Sequence, residues 1–227
     1  MYSVLVPAYN EGENIRELIT RLKKSSKLKI IVVDDGSTDS TVDIVKRSGV
    51  KLIHHKKNRG KAEAIKTGFN YILKNYTNFK YVVILDADMQ YYPEDAVKLL
   101  RPLEDGEADF VTGYRNWSRV PFRHSLGNFV WRSTFNFLFG TSFKDTNCGY
   151  MALNRRAMEK MSEIIHGGYI LENAMFIEAV KRKLRIKQVP VRVVYKEQRG
   201  VFNGSRVVGG LLLFILKEGF KYRLRIG

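Results

Sequence analysis

Three short stretches of the chain pair carboxylates with the residue types that build anion and metal sites. Asp34-Asp35-Gly36-Ser37-Thr38-Asp39 follows the apolar run Ile30-Ile31-Val32-Val33. Asp86-Ala87-Asp88-Met89-Gln90 follows Tyr81 to Leu85, and Pro7-Ala8-Tyr9-Asn10-Glu11 follows Val4-Leu5-Val6. In an extended chain alternate residues face one side, so Asp86, Asp88 and Gln90 can present oxygens together. Hard divalent ions such as Mg²⁺ and Mn²⁺ take oxygen ligands, few from protein and the rest from water and phosphate. That pattern suits a metal held against a diphosphate. A turn followed by a helix N-cap is the plainer reading of each acidic stretch alone. It covers Thr38 and Asp39, but not two adjacent carboxylates directly after four apolar residues. Asn58-Arg59-Gly60-Lys61 opens a predicted helix, where a Gly-Lys pair can approach an anion; a plain basic cap fits it equally. Neither a P-loop nor a Gly-X-Gly-X-X-Gly fingerprint is present, which leaves ATPase and dinucleotide chemistry unsupported. No histidine is expected beside these acidic motifs.

The elements around these motifs set where they sit. Ile15, Leu18, Ile19 and Leu22 fall on one helix face. Helices are also predicted over about 39–47, around Ile65 to Leu73, and from Pro93 to about Leu103, with Pro93 in its first turn. Short strands are predicted at Val4–Val6, Ile30–Val33, Lys51–His54, Tyr81–Leu85 and Asp109–Thr112. This alternation gives an α/β, Rossmann-like, mostly parallel sheet flanked by helices. Ligands of such sheets bind beyond the carboxyl ends of the strands, where all three acidic stretches fall. Further on, helices are expected over 125–139, 156–163 and 171–183, and strands near 148–153 and 186–194.

Composition bounds the rest. The chain has 227 residues, 44% hydrophobic and 27% charged, which is one globular domain that needs no cross-link to hold its core. One cysteine, Cys148, excludes an internal disulfide and a cysteine-rich zinc site. The net charge is +16, and residues 181–227 hold 13 Lys/Arg against 2 Asp/Glu. A basic tail of this kind points to an anionic partner. The longest apolar run, Val207 to Leu216, is half of what a membrane-crossing helix needs, and no export leader is read at the amino terminus. These features fit a cytoplasmic protein lying peripherally on a membrane.

Taken together, the sequence resembles the inverting, metal-dependent GT-A glycosyltransferases, and among them the polyprenyl- or dolichol-phosphate sugar synthases. The matching pieces are VPAYNE (6–11), VVDDGSTDST (32–41), NRGKAEAIKTGF (58–69), LDADMQYYP (85–93), GYR (113–115), RHSLGN (123–128), DTNCGY (145–150), VPV (189–191) and RGVFNGSR (199–206). The resemblance assigns Pro7, Tyr9, Glu11, Val33 and Asp35 to the nucleoside of a nucleotide-sugar donor. Asp86 and Ala87 go to its ribose and diphosphate, with Lys61 beside them, and Asp88 and Gln90 to Mg²⁺ or Mn²⁺. Arg115, Arg123 and one of Arg199 or Arg206 would meet the acceptor phosphate. The chain lacks the arginine that the family often carries after the Cys148-Gly149 region, and has Asn203-Gly204-Ser205-Arg206 where a Gly-Glu-Ser-Lys is common. It has no membrane helix where members often do, which leaves room for a membrane protein subunit.

The chemistry implied is displacement of a nucleoside diphosphate from an anomeric carbon. A hydroxyl acceptor would need a general base, and Asp145 is the best candidate for one. A phosphate monoester is already largely dianionic at neutral pH and needs arginines to position it. Residues 1–206 are read as the catalytic domain and 207–227 as a basic amphipathic segment for a membrane interface, with Val207, Val208, Leu211, Leu212, Ile215 and Leu216 followed by Lys217, Lys221, Arg223 and Arg225. Phe122, Phe129, Trp131, Phe135 and Phe137 belong either to the core or to that interface. Two other readings stay open: transfer to a sugar or protein hydroxyl, and a non-catalytic basic module for membrane or nucleic acid. The acidic motifs weigh against the last, and no nucleic-acid partner is expected.

Overall fold

The apolar runs become strands because each is hydrophobic at consecutive positions, as burial on both faces of a sheet demands. The computed structural model describes residues 2–25, 28–116, 122–163, 171–194 and 204–224, and for 122–127 and 204–208 the helical backbone alone. Strand β1 (Tyr2–Ala8) pairs in parallel with β2 (Leu28–Asp34) and β4 (Tyr81–Ile84), and β2 pairs in parallel with β3 (Lys51–His54). The crossovers are α1 (Ile15–Lys23), α2 (Thr41–Ser48) and α3 (Lys61–Asn75). A single 3₁₀ turn at Pro93–Asp95 leads into α4 (Ala96–Glu104), and β5 (Phe110–Tyr114) follows.

The second half completes the sheet from both directions. After α5 (Phe122–Phe139), β6 (Met151–Asn154) runs antiparallel between β4 and β5. Then come α6 (Arg155–Ser162), α7 (Leu171–Lys181), β7 (Ile186–Pro190), which pairs in parallel with β5, and α8 (Gly204–Leu224). The order is β3-β2-β1-β4-β6-β5-β7, a GT-A-like, mostly parallel sheet, as the sequence predicts. The β6 strand starts three residues later than expected, because Cys148-Gly149-Tyr150 forms the approach to it rather than its ladder.

Successive strand residues enter opposite layers. Val4, Val6, Val32 and Val83 pack with Leu18, Leu22 and Leu99 on one face. Leu5, Ile31, Val33 and Ile84 pack with Ile65, Phe69 and Phe176 on the other. The second layer also takes in Phe135, Leu138 and Phe139 of α5 and Leu211 and Ile215 of α8, so the carboxy-terminal helix is seated on the core. Arg223 of α8 donates its Nε–H to the Leu138 carbonyl at 2.7 Å. Phe135 is therefore a core residue, Trp131 is half-buried, and Phe129 and Phe137 are exposed.

Candidate active site

Parallel pairing of β1, β2 and β4 brings the three acidic stretches to one edge. The first two loops are stitched to each other. The Asp35 N–H donates to the Ala8 carbonyl at 2.8 Å. Asn10 N–H donates to Ser37 Oγ, Glu11 N–H to Thr41 Oγ1, and Thr38 N–H to Asn10 Oδ1, each within 2.9 Å. The cradle is thus fixed before any ligand arrives. Tyr9 stands 45% exposed over it, while Pro7 is buried. The side chains of Val33 and Ala87 lie in the core, so only their backbone can face a ligand.

The adjacent aspartates divide their work. Asp34 Oδ2 accepts the N–H groups of Gly36 and Ser37, both at 3.1 Å, and closes the turn, which Gly36 takes at φ +80°. Its Oδ1 is buried without a hydrogen-bond partner among the described residues. Asp35 accepts the N–H groups of Arg59 (3.0 Å) and Gly60 (2.7 Å), and so anchors the loop that leads into α3. Each also meets a histidine: His54 Nδ1 lies 2.7 Å from Asp34 and His55 Nδ1 2.7 Å from Asp35. The expectation that no histidine stands beside the acidic motifs is corrected here. Asp34 and His54 are register partners across β2 and β3, a proximity that spacing along the chain does not reveal.

Lys61, in the first turn of α3, reaches two carboxylates. Its Nζ lies 2.8 Å from Asp86 Oδ2 and 2.8 Å from Glu172 Oε1. Burial opposes its charge, but Asp86 and then Glu172 outweigh it and hold its pKa above the usual lysine range. Burial raises the Asp86 carboxyl, with Lys61 pulling the other way. Gly149 makes room for this cluster: a Cβ there would stand 2.6 Å from Asp86 Oδ2 and 3.1 Å from Lys61 Nζ. Sequence reasoning missed Glu172. An acidic residue in the first turn of a helix, here α7, reads as a complement to the helix dipole.

The Asp88–Gln90 turn is tight. Asp88 Oδ1 accepts the Gln90 N–H at 3.0 Å, and Met89 between them has φ +59°. A non-glycine residue there costs on the order of 1–3 kcal/mol and persists only when its surroundings impose it. The donor set, a carboxylate and an amide, is all hard oxygen, as Mg²⁺ or Mn²⁺ requires. Among the described residues no group of three or more His, Cys, Asp or Glu surrounds a common point, so an ion here would complete its shell from donor and water.

Arg115, just past β5, forms a two-pronged pair with Asp145: Nε to Oδ2 at 2.7 Å and Nη2 to Oδ1 at 3.0 Å. Asp145 is fully buried and its Oδ1 also accepts the Asn147 N–H. Both oxygens are occupied, so Asp145 orients Arg115 and is not poised as a base. Cys148 is no nucleophile either, because burial pushes its thiol up to about 12. Arg123 lies on α5 and Arg206 on α8, with side chains outside the described residues, as is all of Arg199.

A seven-stranded sheet with carboxylate-bearing loops at the ends of β1, β2 and β4 has the GT-A architecture. The chain belongs to glycosyl transferase family 2, whose family model matches residues 3–162, and it is a glycosyltransferase. An uncharacterised protein of Methanocaldococcus jannaschii is 32% identical over 220 residues, 94% of this chain and 89% of its own. The UDP-N-acetylglucosamine–dolichyl-phosphate N-acetylglucosaminyltransferase of Methanococcus voltae is 28% identical over 235 residues, 93% of this chain and 92% of its own. Glucosyl-3-phosphoglycerate synthase of Mycobacterium tuberculosis, crystallised with Mn²⁺, UDP and phosphoglyceric acid, has the same fold. Its TM-score is 0.77 over 96% of this chain and 78% of its own, at 20% identity.

Proposed function

We propose that this chain transfers a hexose, with inversion, from a UDP- or GDP-linked donor to a polyprenyl phosphate at a membrane surface. The M. voltae relative, named for a dolichyl-phosphate acceptor, supports the acceptor class. The M. tuberculosis structure, holding Mn²⁺ and UDP on the same fold, supports the donor class. The nucleoside sits over Tyr9 and the Pro7–Glu11 and Asp34–Asp39 loops. Asp86 and Lys61 meet the ribose and diphosphate, and Asp88 and Gln90 hold the ion. Mg²⁺ or Mn²⁺ bound there supplies neutralisation of the leaving diphosphate. The acceptor phosphate oxygen forms the new bond to the anomeric carbon as the bond to the nucleoside diphosphate breaks. Arg115, with Arg123 and Arg199 or Arg206, aims that phosphate.

The observation that favours a phosphate over a hydroxyl acceptor is the position of Asp145. Its carboxylate is consumed by Arg115 and Asn147, which leaves the phosphate reading, needing no base, as the better fit. The membrane reading draws on α5 and α8. Among the described residues no helix is long and apolar enough to cross a membrane. Leu213, Phe220 and Leu224 of α8 and Phe129, Val130 and Phe137 of α5 are nevertheless exposed. Leu213, Lys217, Phe220 and Leu224 share one helix stripe, with Lys221 next to Phe220 in sequence and, on α5, Arg132 close to Phe129 and Val130. Residues 207–227 would thus act with α5 as the segment that meets the cytoplasmic face of an anionic membrane, with or without a membrane protein subunit.

The test is a donor screen by thermal shift with UDP-sugars and GDP-sugars plus Mn²⁺, followed by transfer to polyprenyl phosphate against soluble sugar acceptors. The expected result is one nucleotide class that stabilises the protein and product on the lipid phosphate. Transfer to a soluble sugar with none on the lipid would replace this reading with the hydroxyl-acceptor one.

A further inference from the structure

The turn that bears Asp88 and Gln90 is held on its carboxyl side by a segment from the far end of the chain. The Gln90 carbonyl accepts the Val194 N–H at 2.8 Å, and Tyr91 forms an antiparallel bridge with Val193. One residue earlier, Arg192 grips Asp95 three ways. Its backbone N–H donates to Oδ2 at 2.8 Å, Nε to Oδ1 at 3.1 Å, and Nη2 to Oδ1 at 2.8 Å. Asp95 is 1% exposed and also takes Lys98 Nζ at 3.0 Å. The Arg192 guanidinium lies 4.4 Å from the Tyr92 ring centroid, so it covers the stretch between Gln90 and Asp95. Residues 90–95 are therefore held from 192–194, which follow directly on the VPV motif. They are also held from Tyr150, whose hydroxyl donates to the Tyr92 and Pro93 carbonyls at 3.4 and 3.0 Å, and from Arg21, which meets both oxygens of Glu94.

We infer that the Asp95–Arg192 clamp is a positioning device for the ion-binding turn, setting the pose in which Asp88 and Gln90 present their oxygens. The physical reason is the conformation at Met89. A left-handed non-glycine residue relaxes unless both flanks are pinned. The amino-terminal flank is pinned by β4, which pairs with β1 and β6. The carboxyl flank has, among the described residues, only the Tyr91–Val193 bridge in place of a ladder. Tyr150 and Arg21 hold Tyr92 to Glu94, and the clamp ties the flank at Asp95 to the segment that bonds Gln90. Arg192 touches neither donor nor ion in this account; it acts through Asp95 and the Gln90–Val194 bond. The inference rests on the proposed assignment of the ion to Asp88 and Gln90.

The molecule contains its own control. At the opposite edge of the sheet Arg185 grips Asp109 in the same manner, through its backbone N–H, Nε and Nη2. That pair joins the starts of β5 and β7, away from the ion-binding turn. The experiment measures Mn²⁺ affinity by electron paramagnetic resonance, with UDP present, on the full chain and its variants, and thermal stability alongside. Loss of a group that orients metal ligands weakens binding about 10- to 100-fold. Arg192→Ala and Asp95→Asn should fall in that range, Arg192→Lys should recover part of the loss, and Arg185→Ala should lower stability while leaving Mn²⁺ affinity within about twofold of the parent. If Arg192→Ala and Asp95→Asn bind Mn²⁺ as the parent does, the clamp is merely structural and the inference fails alone. If the parent itself does not bind Mn²⁺, the functional reading fails and takes the clamp with it.

Discussion

Arg115 offers the sharpest separation of folding from chemistry, because it is asked to do both. Its partner Asp145 has no exposure and no other cation within the bonds it makes. Arg115→Ala strips two charge-assisted bonds from a buried carboxylate. Breaking one side of such a pair costs about 3–5 kcal/mol, against a total stability of about 5–15 kcal/mol for a domain. The lower figure already shifts the folded-to-unfolded ratio by roughly a hundredfold or more, and lowers Tm by about 6–12 °C at this chain length. Lost activity in Arg115→Ala would therefore say little about catalysis. The paired replacement Arg115→Met with Asp145→Leu removes both charges together, and such exchanges are often neutral or stabilising. Urea unfolding of the parent, the single variant and the pair, with donor affinity and transfer to polyprenyl phosphate measured on each, gives the answer. The pair should return to within about 1 kcal/mol of the parent, bind donor normally and fail to transfer. Arg115→Ala unfolding like the parent would refute the burial argument, and a transfer-competent double variant would refute the acceptor role.

Three further outcomes follow from particular contacts. Gly149→Ala places a methyl group 2.6 Å from Asp86 Oδ2; it should weaken donor binding, read by calorimetry, far more than it lowers Tm, and unchanged affinity would detach the Lys61–Asp86–Glu172 cluster from the donor. Arg185 hydrogen-bonding, the largest effect, brings Asp109 down to about 2 from its usual 3.8. A depressed carboxyl stabilises the fold above its unfolded pKa and loses that contribution as pH falls through the folded one, so the stability gap between the parent and Asp109→Asn should be flat above about pH 5 and close toward pH 2; a gap that persists at pH 2 contradicts the pair. Phe137→Asp with Phe220→Asp should abolish sedimentation with anionic vesicles at unchanged Tm, because both side chains are exposed, and undiminished sedimentation would remove α5 and α8 from the membrane reading.

Much of the fold was legible because buried parallel strands write themselves as apolar runs. Val4–Val6, Ile30–Val33 and Tyr81–Leu85 could be placed, and with them the edge at which Asp34, Asp35, Asp86 and Asp88 gather. The antiparallel insertion of β6 was not legible, since a four-residue ladder carries no mark of its direction. Contacts made across the sheet were hidden for the same reason. His54 and His55 meet Asp34 and Asp35 through strand register, Glu172 meets Lys61 from 111 positions away, and Arg192 meets Asp95 from 97 away. The sequence offers Asp145 as a base for a hydroxyl acceptor or as a turn cap, but its partner decides its role, and a single sequence does not name partners.

The claim beneath all of this is that oxygens of Asp88 and Gln90 hold a divalent ion against a nucleotide-sugar diphosphate. Calorimetric titration of the nucleotide sugar into the parent and into Asp88→Ala, each with Mn²⁺ and with EDTA, tests it directly. Binding that requires Mn²⁺ in the parent and is lost in Asp88→Ala, with Tm preserved, is the predicted result; equal binding in all four titrations would contradict it.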